Sequence, residues 1–293
     1  MIRILGTLLM AALASPAWAW TERDVDARRP AAPDARIEIE DVAGAVRVVG
    51  WDRDEVYVTG ALSRRAEGLD LSGPPHRIRI ELDVHGSPHG VQSDLEVRVP
   101  AGSHVEIEGF DVEITVTGVK GSVQANTVNG SIHVSGAAGE VQLETVNGDV
   151  EVSGPSRWVR AESVNGGVTV EGARGEVEAL TVNGELLVRG VKLSRGQLET
   201  VSGSIEFEGD LEARATLDLE SVSGNVELLL PGAVSADFSI SSFSGDIENE
   251  LSSARPVDVS RYTTEKGLRF STGSGSARVN IDTLSGSVWL RRR

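Results

Sequence analysis

The chain has 293 residues, no cysteine, 33 glycines and only 4% aromatic residues, and its formal net charge is −16. Without cysteine there is no disulfide framework, no thiolate metal site and no cysteine to carry a lipid anchor. The acidic balance excludes phosphate-rich partners such as nucleic acid, because binding them requires basic patches.

The first 19 residues have the order of a secretory signal peptide. Arg3 supplies a basic start, an apolar run follows at 4–14, and an A-x-A cleavage site ends at Ala19. The apolar run is shorter than the roughly 20 residues that cross a bilayer. We therefore expect 1–19 to be removed, leaving an exported chain that starts at Trp20, is periplasmic or secreted, and is not stably inserted in a membrane.

Three regions are predicted after the signal peptide. Residues 20–35 are charged and rich in proline and alanine, which indicates a mobile leader. Alternation of apolar and polar residues then begins, and 36–103 is predicted to be a less regular β cap with a polar insertion at 63–76. From 104 to 293 the alternation follows a regular repeat, which predicts one repeat domain.

The repeat is marked by a tetrad that returns every 18 residues. Its four closest copies are Thr127-Val128-Asn129-Gly130, Thr145-Val146-Asn147-Gly148, Ser163-Val164-Asn165-Gly166 and Thr181-Val182-Asn183-Gly184. Looser copies start at Thr200, Ser221, Ser242 and Thr283. The inward apolar positions change phase at each tetrad, so each unit is predicted to hold two strands joined at a corner.

A constant period predicts an all-β, right-handed parallel β-solenoid (β-helix) of about ten short rungs. Equivalent residues would then stack about 4.8 Å apart, and the asparagines would form an amide ladder. We assign the stacked valines to the dry interior, so Val164→Asp should unfold the array. Because Asn-Gly between alternating strands is also a strong hairpin signal, an antiparallel sandwich or barrel is the alternative.

Carboxylates recur at the position before the tetrad. The weak candidates for metal ligands are Glu144, Glu162, Glu199 and Glu220. Stacked carboxylates repel one another and attract cations, so weak Ca²⁺ binding is one interpretation. An ordinary solvated charged face is the other.

The sequence lacks the motifs that mark common nucleotide-binding and catalytic sites. It has no P-loop, no G-x-G-x-x-G and no G-x-S-x-G, so no catalytic or cofactor-binding residue is assigned. His85 and His89 flank a short loop that could hold a metal together with a carboxylate, but its proline and glycine content is typical of a solvated turn.

The units of the form [TS]-V-[NS]-G-x-[VI]-x-V-x-G, with Gly50-Trp51-Asp52 after an early copy, resemble a bacterial family. It is the "putative adhesin" family of β-strand-repeat proteins of unknown function. The resemblance implies a β-helix-like fold in the cell envelope and carries over no catalytic residues.

We therefore expect a non-enzymatic structural or interaction module whose extended β surface binds an envelope protein or polysaccharide. One alternative is a self-assembling β-helix rod, which light scattering across a concentration series would reveal. Another is a carbohydrate-active β-helix enzyme. Such an enzyme would turn over acidic glycans and lose that activity when Glu199 and Glu220 are both changed to Gln.

Overall fold

The computed structural model of the chain describes residues 23–84, 90–260 and 262–293. All regular elements in these ranges are β-strands, as the alternation of apolar and polar residues predicts. No helix long and apolar enough to cross a bilayer occurs within them. The predicted signal peptide, 1–19, lies outside the described residues.

Strands cover both the predicted cap and the repeat region. The N-terminal strands are β1 Arg23–Pro30, β2 Arg36–Trp51, β3 Glu55–Leu62, β4 Gly68–Ser72, β5 Arg77–Asp83 and β6 Ser93–Pro100. The central strands are β7 His104–Thr117, β8 Val123–Asn129, β9 Ile132–Ser135, β10 Glu140–Asn147, β11 Val150–Ser153, β12 Trp158–Asn165, β13 Val168–Glu171, β14 Arg174–Asn183, β15 Leu186–Ser202, β16 Ile205–Ser223 and β17 Val226–Leu230. The C-terminal strands are β18 Ala236–Ser244, β19 Ile247–Asn249, β20 Val257–Asp258, β21 Lys266–Thr272, β22 Ala277–Ser285 and β23 Val288–Arg292.

Equivalent strands of successive repeats stack in parallel and in register. Val141 lies opposite Val123 on one side and Val159 on the other, which is one period in each direction. The strands that lead into the tetrads form a first face, in the order β4-β5-β2-β7-β8-β10-β12-β14-β15-β16-β22-β18-β21-β20. The strands that follow the tetrads form a second face, in the order β1-β3-β6-β2-β7-β9-β11-β13-β15-β16-β17-β23-β19. The predicted parallel stack is therefore present, and its right-handed winding and its rung count stay predictions.

The core lies between the two faces and is built from columns of small and branched apolar residues. On the first face one such column includes Ile107, Ala125, Leu143, Ala161, Ala179, Leu198 and Leu219, all of them fully buried. On the second face the corresponding column includes Ile132, Val150, Val168, Leu186, Ile205 and Val226. Each buried valine, leucine or isoleucine contributes roughly 1.5–3 kcal/mol, but only because the rungs above and below cover it.

The segment 20–35, predicted to be a mobile leader, instead contains strand β1. Residues Arg23–Pro30 pair antiparallel with β3, and Ala31 and Ala35 after them are buried. The Arg29 guanidinium donates to the carbonyl oxygens of Gly73 and Leu71 at 2.7 and 3.1 Å. A charged composition does not exclude a strand here, because an edge strand pairs with one neighbour only and can leave most of its side chains in water.

The order of the last repeats differs from their order in the sequence. Strand β22, which carries the last tetrad, lies between β16 and β18 and pairs in parallel with both. The chain reaches this position after β21, which runs antiparallel to β18 on its other side. The long step before the last tetrad therefore reflects a reversal of stacking order.

Candidate functional site

The first residue of each tetrad, not the second, is the one that points into the core. Thr145, Ser163 and Thr181 are each 4% exposed. Their hydroxyl groups donate to the carbonyl oxygens of Gly130, Gly148 and Gly166, at 3.0, 2.9 and 2.8 Å. A buried hydroxyl needs such a partner, and here each one ties a strand to the corner of the preceding rung.

The predicted interior position of the valine column is therefore wrong. Val141, Leu143 and Thr145 alternate inward, so the next side chain, Val146, must point out. Val146, Val164 and Val182 are each 40% exposed, and Val128 is half-buried. We call this line of side chains the apolar ridge; in spatial order it runs Val128, Val146, Val164, Val182, Val201, Val222, Leu284 and Phe243.

On the other side of the buried hydroxyl column, the residue before each tetrad also points out. We call this line the acidic column, and in spatial order it runs Glu108, Asn126, Glu144, Glu162, Leu180, Glu199, Glu220, Asp282 and Ser241. Six of these nine side chains are carboxylates.

A long groove separates the acidic column from the apolar ridge. Its volume is about 1000 Å³, and both lines of side chains form its walls. The hydroxyl-bearing residues, such as Thr145 and Ser163, form its floor. No Lys, Arg or His is among the described residues that line it. The groove is therefore acidic along one wall and apolar along the other.

The carboxylates of the acidic column differ in their partners. Glu144 and Glu199 accept hydrogen bonds from the side-chain amides of Gln142 and Gln197, at 3.0 and 2.6 Å. Glu162 forms an ion pair with Arg160 at 2.5 Å.

Glu220 shows the repulsion expected of stacked carboxylates. Partial burial, followed by the neighbouring charges of Glu199, Asp282 and Asp218, raises the pKa of its carboxyl group. A cation placed in this part of the groove would therefore relieve an electrostatic cost that the protein already carries.

The weak candidates for metal ligands do not form a cluster in the described residues. Within the described ranges, no three His, Asp or Glu side chains come close enough together to hold a metal ion. Leu180 separates Glu162 from Glu199. Of the four weak candidates, Glu144 and Glu199 have an amide as neighbour, Glu162 has a guanidinium, and Glu220 has neighbouring carboxylates that repel it. The loop between His85 and His89 lies outside the described residues.

A ladder of asparagine amides runs beside the apolar ridge. The side chain of Asn147 donates to Asn129, that of Asn165 to Asn147 and that of Asn183 to Asn165, at 2.8, 2.9 and 3.0 Å. This is the amide ladder that the repeat predicts. It ties the corners of neighbouring rungs together in register.

At the N-terminal end, the inward hydroxyl of the tetrad is replaced by the carboxyl group of Asp41. Asp41 is 6% exposed, accepts a hydrogen bond from the Val42 N–H at 2.7 Å and a second from the Ser93 hydroxyl. Burial raises the pKa of this carboxyl group, and the hydrogen bonds from Ser93 and the backbone offset part of that effect.

We predict that Asp41→Asn stabilises the protein near neutral pH. A raised pKa means that the folded state gains stability only while the group is protonated. That contribution is present below about pH 3.9, the ordinary aspartate value, and is lost as pH rises through the folded-state pKa. The difference in Tm between variant and wild type should therefore grow in favour of the variant from pH 3.5 to pH 7. The exposed Asp52→Asn is the matched control; an equal change in both variants would contradict the prediction.

The fold and the groove together define the class of protein: a parallel β-solenoid that carries an open amphipathic groove along its stacking axis. The chain belongs to the Toastrack DUF4097 family, which matches residues 92–291.

Solved structures similar to this chain come from Parabacteroides distasonis and Bacteroides fragilis. A putative adhesin from Parabacteroides distasonis has a TM-score of 0.52 at 12% identity, with 91% of this chain and 97% of that chain covered. A putative adhesin from Bacteroides fragilis has a TM-score of 0.45 at 6% identity, with 92% and 97% covered. A putative lipid binding protein from Parabacteroides distasonis has a TM-score of 0.38 at 12% identity, with 90% and 96% covered. No curated protein matches this chain.

Proposed function

We propose that this protein is an exported, non-enzymatic, adhesin-like module of the bacterial cell envelope, and that the groove of the first face is its binding surface. The observation that carries the proposal is the apolar ridge. Its valines, leucine and phenylalanine stand in solvent on rigid strands, rung after rung, with exposures of 40–53% from Val146 to Leu284. Continuous exposed apolar surface of this kind marks sites of interaction.

Membership in this family and the similarity to a structure described as a putative adhesin support the coarser part of this proposal. The signal peptide read from the sequence supports export to the periplasm or beyond. Binding would come from many weak contacts along a preformed surface, because the parallel ladders fix the backbone from which the lining side chains project.

End-to-end assembly into a rod is less well supported. Beyond β5 at one end of the first face lies the short antiparallel strand β4, and beyond β18 at the other end lie β21 and β20. Such covers replace the open parallel edge that the next molecule would need.

The test is binding of the purified chain to the envelope fraction of the source bacterium. We expect the double variant Val164→Thr/Val182→Thr to bind at least about tenfold more weakly with an unchanged Tm, because threonine keeps the β-branched shape and reduces apolar area. The matched control is Val257→Thr/Val259→Thr, two exposed valines outside the groove. Equal binding by both double variants and the wild type would overturn the proposal.

A further inference from the structure

This inference rests on the proposed function and names the chemistry of the partner. We propose that the groove binds an extended polypeptide segment in which basic side chains alternate with apolar ones.

The groove favours a ligand of complementary charge. The six carboxylates of the acidic column are spread over its whole length, from Glu108 to Asp282. Glu162 is paired with Arg160, but no Lys, Arg or His is among the described residues that line the groove. A complementary ligand must therefore carry positive charge at intervals along its length. Anionic polymers, including nucleic acids and acidic glycans, would be repelled.

The apolar wall also runs beside the acidic wall along eight of the nine rungs. The ridge faces the acidic column from Val128 to Phe243. A single acyl chain with one cationic head group would neutralise one carboxylate and leave the others beside methylene groups, at a cost in desolvation. A polymer that is both cationic and apolar throughout its length matches both walls.

The length of the groove also favours an extended ligand. Nine rungs line it, and eight steps of about 4.8 Å make it roughly 38 Å long. At 1.5 Å per residue, an α-helix would need roughly 25 residues to run beside all nine rungs, and only one stripe of its side chains would face the groove. An extended chain spans the same length with about half as many residues.

An extended backbone can also place basic side chains against the acidic wall and apolar side chains against the apolar wall. Successive side chains of a strand point to opposite sides, so alternation of basic and apolar residues sends one kind to each wall. About 12 residues at 3.3 Å each would span the groove. The long side chains of lysine and arginine tolerate the mismatch between residue spacing and rung spacing.

A second copy of this chain does not fit the same surface. The net charge of −16 and the carboxylates along one wall of the groove would oppose pairing of two such faces. The occupant is therefore a different chain of opposite charge.

The experiment measures binding of three synthetic 12-residue peptides to the full chain by fluorescence anisotropy. They are (Lys-Val)6, (Lys-Ser)6 with the same charge but no apolar side, and (Glu-Val)6 with the charge reversed. We expect (Lys-Val)6 to bind at least about tenfold more tightly than either of the others. Raising the salt concentration from 0.05 to 0.5 M should weaken the binding of (Lys-Val)6, because salt screens the charges.

Two groove variants and one control locate the site. The double variant Glu199→Gln/Glu220→Gln removes charge from the acidic column and should weaken the binding of (Lys-Val)6 about tenfold. The double variant Val164→Thr/Val182→Thr should weaken this binding to a similar degree. Glu151→Gln/Glu171→Gln removes the same charge from the second face, where both side chains are exposed, and should stay within about twofold of wild type.

Three outcomes would overturn the inference: no binding of (Lys-Val)6, equal binding of (Lys-Ser)6, or equal effects of the groove and control variants. Preferential binding of phosphatidylcholine vesicles, or dimerisation lost in the valine variant, would assign the groove to lipid or to a second copy.

The proposed function is judged separately. If the valine variant loses envelope binding while (Lys-Val)6 fails to bind, the groove remains the binding surface and only the polypeptide chemistry of the partner is rejected.

Discussion

Replacing Val168 by aspartate is expected to unfold the protein or lower its free energy of unfolding by at least about 3–5 kcal/mol, the cost of an uncompensated buried charge. Val168 is fully buried in the second face, between Val150 and Leu186 of the neighbouring rungs. No basic residue is stacked beside it in this column, so nothing there would compensate the carboxylate. Thermal unfolding followed by circular dichroism measures the effect.

The matched control is the same substitution four residues earlier. Val164 belongs to the apolar ridge and is 40% exposed, so Val164→Asp should change stability by no more than about 0.5 kcal/mol. The sequence alone led to the opposite expectation, because it placed the valine column inside. Equal destabilisation by the two substitutions would show that the ridge is buried after all.

Replacing Gly166 by alanine is the second change with a large expected effect. A Cβ atom at this position would lie 2.0 Å from the carbonyl oxygen of Gly148, far inside contact distance. That oxygen belongs to the backbone of the preceding rung, whose position the parallel ladder fixes on both sides. We expect a loss of about 1–3 kcal/mol, as for other overpacked sites, measured as a lower Tm.

The neighbouring glycine provides the control for this experiment. A Cβ atom at Gly167 would have no atom nearer than 3.4 Å, so Gly167→Ala should be close to neutral. Its N–H would still donate to the Asp149 carboxylate at 2.8 Å. A Gly167→Ala variant as unstable as Gly166→Ala would mean that loss of backbone freedom, and not close approach of the rungs, explains the glycines.

The sequence predicts the stacking well because the residues that stack on one another are equivalent positions of the repeat. Identical residues recur 18 positions apart, and only parallel rungs place Asn129, Asn147 and Asn165 directly over one another. Turn chemistry alone favours hairpins, so the period outweighs the local signal. The acidic column was also recognised, although its position as the wall of a groove was not.

The side that each tetrad residue faces was harder to predict, for a physical reason. A small hydroxyl-bearing residue beside a valine suggests that the valine is inside, since transfer from water favours the larger apolar group. The hydroxyl is nevertheless buried because Thr145 finds a carbonyl acceptor on the rung before it. The signal that could have shown this is the alternation itself: Val141, Leu143 and Thr145 share one parity, and Val146 does not.

The inserted position of β22 has a consequence for the order in which the rungs can form. Rungs from β7 to β16 follow one another in chain order, so each can pair with the one before it. Strand β18, in contrast, has no direct pairing with β16 and takes its place in the stack through β22, which follows it in the chain. Until β22 is inserted, the first face of β16 keeps an unpaired parallel edge.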